Sequence, residues 1–196
     1  MPSWGLKLLH PSPAESTLDS FYVDIVAVHG LGGHQTGTWT DPGTGVIWLR
    51  VLLPFTILTA RVWSFGYEAN ASTFFGDGSA DRIQQHAHTL IAELEAVRAL
   101  SSAAERPIIF VCHGLGEILV KKALAHSATQ TSKNVDHRYS IYISTYGIIF
   151  MGTPHSGIEH ATWQTIAQEA RTTGGAPREM LKALTKNSET LQNITD

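Results

Sequence analysis

The sequence contains one cysteine, Cys112, which excludes an internal disulfide and any zinc site built on several cysteines. Charge is scarce: 16% of the 196 residues are Asp, Glu, Lys or Arg, and 14 basic against 17 acidic residues leave a formal charge of −3. Neither sign forms a run, so the concentrated cationic face that nonspecific nucleic-acid binding requires is missing. Long apolar runs are missing too. Val46 to Ile57 is broken by Arg50 and Pro54, and Tyr146 to Met151 is far below the ~20 residues that cross a bilayer. The start, Met1-Pro2-Ser3-Trp4-Gly5-Leu6-Lys7, has neither the charged beginning nor the apolar core of a secretory signal. A cytoplasmic or otherwise intracellular chain without a transmembrane segment is expected, with peripheral contact to an organelle membrane left open. No G-x-x-x-x-G-K-[ST] stretch occurs, which excludes a P-loop, and no H-E-x-x-H occurs either. His86/His88 and His155/His160 match no zincin spacing, so neither a metal nor a cofactor is expected.

What is present is apolar material: 43% of the residues are hydrophobic. A chain of this mass removes roughly 70% of its unfolded surface from water on folding, so a folded core rather than bulk disorder is expected. Residues 1–21, with Pro11 and Pro13 among serines and threonines, read as an N-terminal segment and linker. Residues 22–196 read as one domain. Tyr22 to Val28 is a near-continuous β-branched run of the kind buried on both faces of a parallel sheet. Ala60 to Phe65, Pro107 to Val111 and Tyr146 to Met151 are further strands. Helical spacing of Ile83, Ala87, Leu90, Ile91, Leu94 and Val97 predicts a helix over 80–100. Shorter helices are expected from Val46 to Leu53, stopping at Pro54, and over 116–127, 160–172 and 177–193, with an exposed loop over 129–140. Strands alternating with helices indicate an α/β fold around a mostly parallel sheet.

Three stretches carry chemistry. Val28-His29-Gly30-Leu31-Gly32-Gly33 places glycines just past a buried strand, where the backbone can turn sharply and present N–H groups. An ordinary strand-to-helix turn is the alternative. A dinucleotide loop fits less well, because the spacing is not G-x-G-x-x-G. Val111-Cys112-His113-Gly114-Leu115-Gly116-Glu117 runs strand, tight turn, helix, which is the context of a nucleophile elbow. Met151-Gly152-Thr153-Pro154-His155-Ser156-Gly157 is a third strand ending in a small-residue loop.

Together these motifs resemble the α/β-hydrolase family, in particular lipase-like serine esterases of the group that includes serine-active-site-containing proteins and GPI inositol deacylases. Similar domains stand ahead of NACHT or NB-ARC ATPase modules in fungal proteins. Trp39, Trp48-Leu49-Arg50, Gly66-Tyr67 and Asn187-Ser188-Glu189-Thr190-Leu191 fit as well. The resemblance implies a three-layer α/β-hydrolase-like sandwich with strand order 60–65, 22–28, 107–111, 146–151, apparently truncated at its C-terminal side. It implies an oxyanion hole at the Leu31 and Leu115 amides, and a cleft lined by His29, Gly30, Gly32, His113, Glu117 and His155. The nucleophilic serine of the pattern falls on Gly114. Without a hydroxyl no acyl-enzyme forms there, while glycine accepts the positive φ of an elbow at little cost. Glu117 stands where the pattern has glycine, and no strand–loop–histidine pattern follows residue 157. Cys112 reads as a buried structural thiol, and Ser156 beside His155 as a loop stabiliser. The expectation is a catalytically impaired esterase-like domain acting as a signalling or interaction module. Its ligand would be a lipid or acyl ester, and a protein partner would dock on an exposed sheet edge; the alternative is an active carboxylic-ester or lipid acyl hydrolase.

Overall fold

Valine and isoleucine dominate the strand at the centre of the sheet, where a side chain must pack on both faces. The computed structural model describes residues 4–11, 22–70, 79–130 and 136–152. In chain order these form β1 (Gly5–His10), β2 (Val23–Val28), α1 (Trp48–Thr56), β3 (Ala60–Gly66), α2 (Ser79–Leu100), β4 (Ile108–His113), α3 (Gly116–Thr129), α4 (Asp136–Ser144) and β5 (Thr145–Met151). The sheet order is β1-β3-β2-β4-β5, with β1 antiparallel to β3 and the remaining pairs parallel. The order expected for the four parallel strands is the order found.

Alternation along the strands creates two cores. Val26, Val28, Phe65, Phe110 and Cys112 face α2 and α3, where Leu90, Leu94, Leu119 and Val120 are fully buried. Ile25, Ala27, Val62 and Val111 face the other way, onto Leu49 of α1 and Trp39. Helices on both faces make three layers around a mostly parallel sheet.

Three features depart from the sequence reading. Gly5–His10, placed ahead of the first strand by that reading, form β1 and pair with β3. A short edge strand among Lys7, Leu8 and Leu9 lacks the β-branched run that marks a central one. The helix α1 does not stop at Pro54 but runs through it to Thr56. Proline removes one backbone donor, yet the next turn still closes, because the Ile57 amide donates to the Leu53 carbonyl at 2.9 Å. The exposed loop expected over 129–140 contains the start of α4, anchored by fully buried Ile141. Its polar first turn hides it from an apolar pattern. The helices expected at 160–172 and 177–193 lie outside the described residues.

Candidate active site at the carboxyl ends of β2 and β4

Parallel pairing of Val28 with Cys112 brings the chain beyond β2 and the chain beyond β4 to the same end of the sheet. There the two loops touch backbone to backbone. A Cβ on Gly30 would lie 2.5 Å from the His113 carbonyl oxygen and 3.1 Å from the Leu115 nitrogen. A Cβ on Gly116 would lie 2.5 Å from the His29 carbonyl oxygen and 2.6 Å from that of Val28. No side chain fits at either position, so these two glycines set the separation of the loops. The adjacency expected of the turns at 29–33 and 112–116 is present.

Gly114 sits at the apex with φ +51°, and its amide donates to the Met151 carbonyl at 2.9 Å. A Cβ there would meet nothing within 4 Å among the described residues. The turn therefore has the elbow's strained backbone and room for a side chain, but carries none. The amides of Leu31 and Leu115 stand on the two touching loops, and neither has a hydrogen-bond partner among the described residues. Gly32 is held by its own amide, which donates to the Ala69 carbonyl at 2.7 Å.

The histidines of the cleft differ sharply. His29 is buried, stacks on Tyr67 with ring centroids 4.5 Å apart, and receives the Tyr67 amide on Nε2 at 3.4 Å. Its Nδ1 then carries the proton and donates to the Gly30 carbonyl at 3.1 Å. Burial lowers its pKa below the ordinary histidine value, so the ring is neutral. The Tyr67 hydroxyl in turn donates to the His29 carbonyl at 2.7 Å. Both ring nitrogens and the carbonyl of His29 are engaged in holding the loop. His113, by contrast, is exposed, its ring edge-on to Trp39 with ring centroids 6.4 Å apart. The Trp39 Nε1 is buried without a hydrogen-bond partner among the described residues.

Glu117, in the first turn of α3, is buried and pairs with Lys121, Oε1 to Nζ at 2.6 Å. That pairing offsets the negative charge that the sequence places beside the Leu115 amide. Cys112 is fully buried; burial first, and the Glu117 carboxylate second, push its thiol up to about 12. A thiol held in that form is a poor nucleophile. His155, with Ser156, His160 and Asn187–Leu191, lies outside the described residues.

Sequence reasoning missed Gln35. Its side chain donates to the Gly5 carbonyl at 2.6 Å and the Ser64 carbonyl at 3.0 Å, and its own carbonyl accepts from the Ser64 hydroxyl. One residue thus ties the loop beyond β2 to both β1 and β3. No local pattern marks it, because its partners are distant in sequence. A cavity of about 380 Å³ opens next to this loop, lined in part by Trp4, His34, Tyr67, Glu68 and Asn70. His86 is half-buried against Tyr67 and Trp4, while His88 touches His126 at 3.8 Å between ring centroids.

No family model matches the chain. Protein SERAC1 of Homo sapiens is 25% identical to it over 209 aligned positions, which take in 98% of this chain and 30% of the human protein. The same-named protein of Danio rerio is 27% identical over 170 positions, taking in 78% of this chain and 24% of that one. The chain thus spans less than a third of the length of these curated relatives. Among solved structures, the mature lipase BlEst2 of Bacillus licheniformis superposes with a TM-score of 0.57 at 18% identity, over 96% of this chain and 62% of that one. The chain has an α/β-hydrolase fold. Within that fold, Gly114 occupies the strand-to-helix turn where the sequence pattern places a nucleophile. Among the described residues no helix is long and apolar enough to cross a membrane, and no three His, Cys, Asp or Glu side chains cluster as metal ligands.

Proposed function

We propose that this chain is an esterase-like domain that keeps the backbone of a hydrolase active site without its nucleophile. It would serve as a binding or interaction module rather than as a catalyst. The observation that carries this reading is Gly114: an elbow conformation at φ +51°, no described residue within 4 Å of where Cβ would stand, and no side chain to attack a carbonyl. Among the described residues, the Leu31 and Leu115 amides remain uncommitted beside it. Two such donors suit the oxygen of a carboxylate or of an acyl ester carbonyl, which they would hold and polarise. With no hydroxyl at 114, the carbonyl has no protein nucleophile, and turnover is left to water. Residual assistance of that kind in hydrolases stripped of their triad is roughly 10³–10⁴-fold over the uncatalysed rate, with no acyl-enzyme. Use as an interaction module, as in the fungal proteins whose ATPase modules follow similar domains, belongs to the same proposal.

The test is a fluorophosphonate probe on the purified chain, read by intact-mass spectrometry, beside a Gly114→Ser variant. The unmodified chain is expected to take no label and to hydrolyse short acyl esters without a burst. Stoichiometric labelling of the unmodified chain at any residue sinks the proposal and favours an active ester hydrolase. High esterase turnover in Gly114→Ser would show that a general base stands ready at the site, and that the loss of catalysis is confined to one side chain.

A further inference from the structure

The helix α1 is apolar on both sides. Leu49 is fully buried, and Leu53 and Ile57 pack on the core beneath it. On the opposite side Val51, Leu52 and Phe55 point outward, 49, 59 and 88% exposed, and Leu58 in the following turn is 78% exposed. Single exposed hydrophobes are ordinary on a protein surface. Four large ones on one short helix and its turn are not, and a helix that is hydrophobic all round belongs in apolar surroundings.

Among the described residues of β1 and α1, charge on this flank has one sign. From Val46 to Thr59 there is no acidic residue, and Arg50 is the one basic residue. Lys7 is exposed on β1 and shares with Leu9 the sheet face that carries α1. Between β1 and α1 runs a groove of about 410 Å³, lined in part by Leu9, His10, Arg50, Phe55 and Leu58. Outward apolar side chains rimmed by cations, on a helix of 9 residues, describe an element that lies along a membrane interface rather than through it.

We propose that α1 seats this domain on a bilayer with anionic headgroups, Phe55 and Leu58 entering the acyl boundary while Arg50 and Lys7 meet phosphates. The chain passes from the carboxyl end of β2 through α1 to the amino end of β3. The bilayer then lies along the flank of the sheet and leaves the carboxyl-end cleft uncovered. This inference does not depend on whether the cleft is catalytic.

The full chain is sedimented with phosphatidylcholine–phosphatidylglycerol vesicles and with phosphatidylcholine vesicles alone. Binding to the anionic vesicles is expected. A Phe55→Ser/Leu58→Ser variant should lose at least about tenfold in partitioning, from the apolar area withdrawn. Arg50→Gln should lose about fivefold, the worth of one cation near an anionic surface. Circular dichroism and thermal melting check that the variants fold, and Phe55→Ser alone carries the test if the double variant melts early. Absence of binding, equal binding to both vesicle types, or unchanged binding by the double variant each overturns the proposal. Concentration-dependent dimerisation that the double variant abolishes, without vesicle binding, assigns the face to a second copy instead and overturns it too.

Discussion

The two ends of β2 are held by opposite kinds of chemistry. At the amino end, fully buried Asp24 accepts from Arg61 Nε at 2.6 Å and from Arg98 Nη1 at 2.7 Å, with Arg106 Nη1 at 3.6 Å. Arg98 also donates to the carbonyls of Ala104 and Arg106, both at 2.7 Å, and Arg61 to the Ser101 hydroxyl at 2.7 Å. At the carboxyl end, contact is made by glycine backbones and a neutral histidine, and two amides are left over. Three guanidinium groups on one carboxylate cannot be separated from it without leaving charge stranded in a low-dielectric interior. Glycine contacts hold two loops together while committing none of their outward donors. The buried ion cluster locks the amino end, and the glycine contacts of the carboxyl end leave the Leu31 and Leu115 amides without partners among the described residues.

Removing the lock should have the largest effect. Asp24→Ala strands the buried guanidinium charges and is expected to cost about 3–5 kcal/mol, read from urea unfolding. A loss under about 1 kcal/mol would mean that the cluster does not secure the amino end. Next comes Gly116→Ala, whose Cβ would approach the His29 and Val28 carbonyl oxygens at 2.5 and 2.6 Å. Pushing the loops apart is expected to cost about 1–3 kcal/mol in the same measurement. Gly114→Ala is milder. Its Cβ enters open space, so only the positive φ is penalised, by about 1 kcal/mol. If Gly114→Ala proved as damaging as Gly116→Ala, the apex would be packed rather than open, and the contrast between the two glycines would fail.

The smallest effect is on the pH profile. Burial lowers the folded-state pKa of His29, so as pH falls through the ordinary histidine value of about 6.5 the unfolded chain takes up a proton that the native ring refuses. The stability that neutral His29 contributes is present above that pH and is lost progressively below it. His86 is shifted the same way, again by burial first. Melting temperatures of the parent chain should therefore fall on the acid side, with a shallower fall in His29→Gln. Identical profiles would show that folding does not lower the pKa of His29.

Much of the carboxyl end was legible in the sequence, because its determinants are local. A β-branched run marks β2, glycines mark the turn after it, and Gly114 between a strand and a helix foretells a positive φ. His29 and His113 were both placed near the cleft, but their difference was not foreseen. Whether a histidine is buried on Tyr67 or exposed beside Trp39 depends on side chains brought in from other strands and loops. Tyr67 was recognised as part of a pattern, yet its hydrogen bond to the His29 carbonyl spans 38 positions. Gln35 was invisible for the same reason.

The amino end and the outer flank belong almost wholly to tertiary structure. Asp24 lies 37 positions from Arg61 and 74 from Arg98, and nothing in the spacing of an isolated aspartate announces such partners. The strand β1 forms because β3 offers it an edge, and α4 forms because Ile141 finds a pocket between the helices already in place. The outward apolar side of α1 reads in sequence as ordinary core. Periodicity states which residues are apolar, and it states their spacing along a strand or helix. It does not state which side the sheet will take, because that choice is made by the strands beneath, and here β1 and β3 take Leu49 and leave Phe55 to the outside.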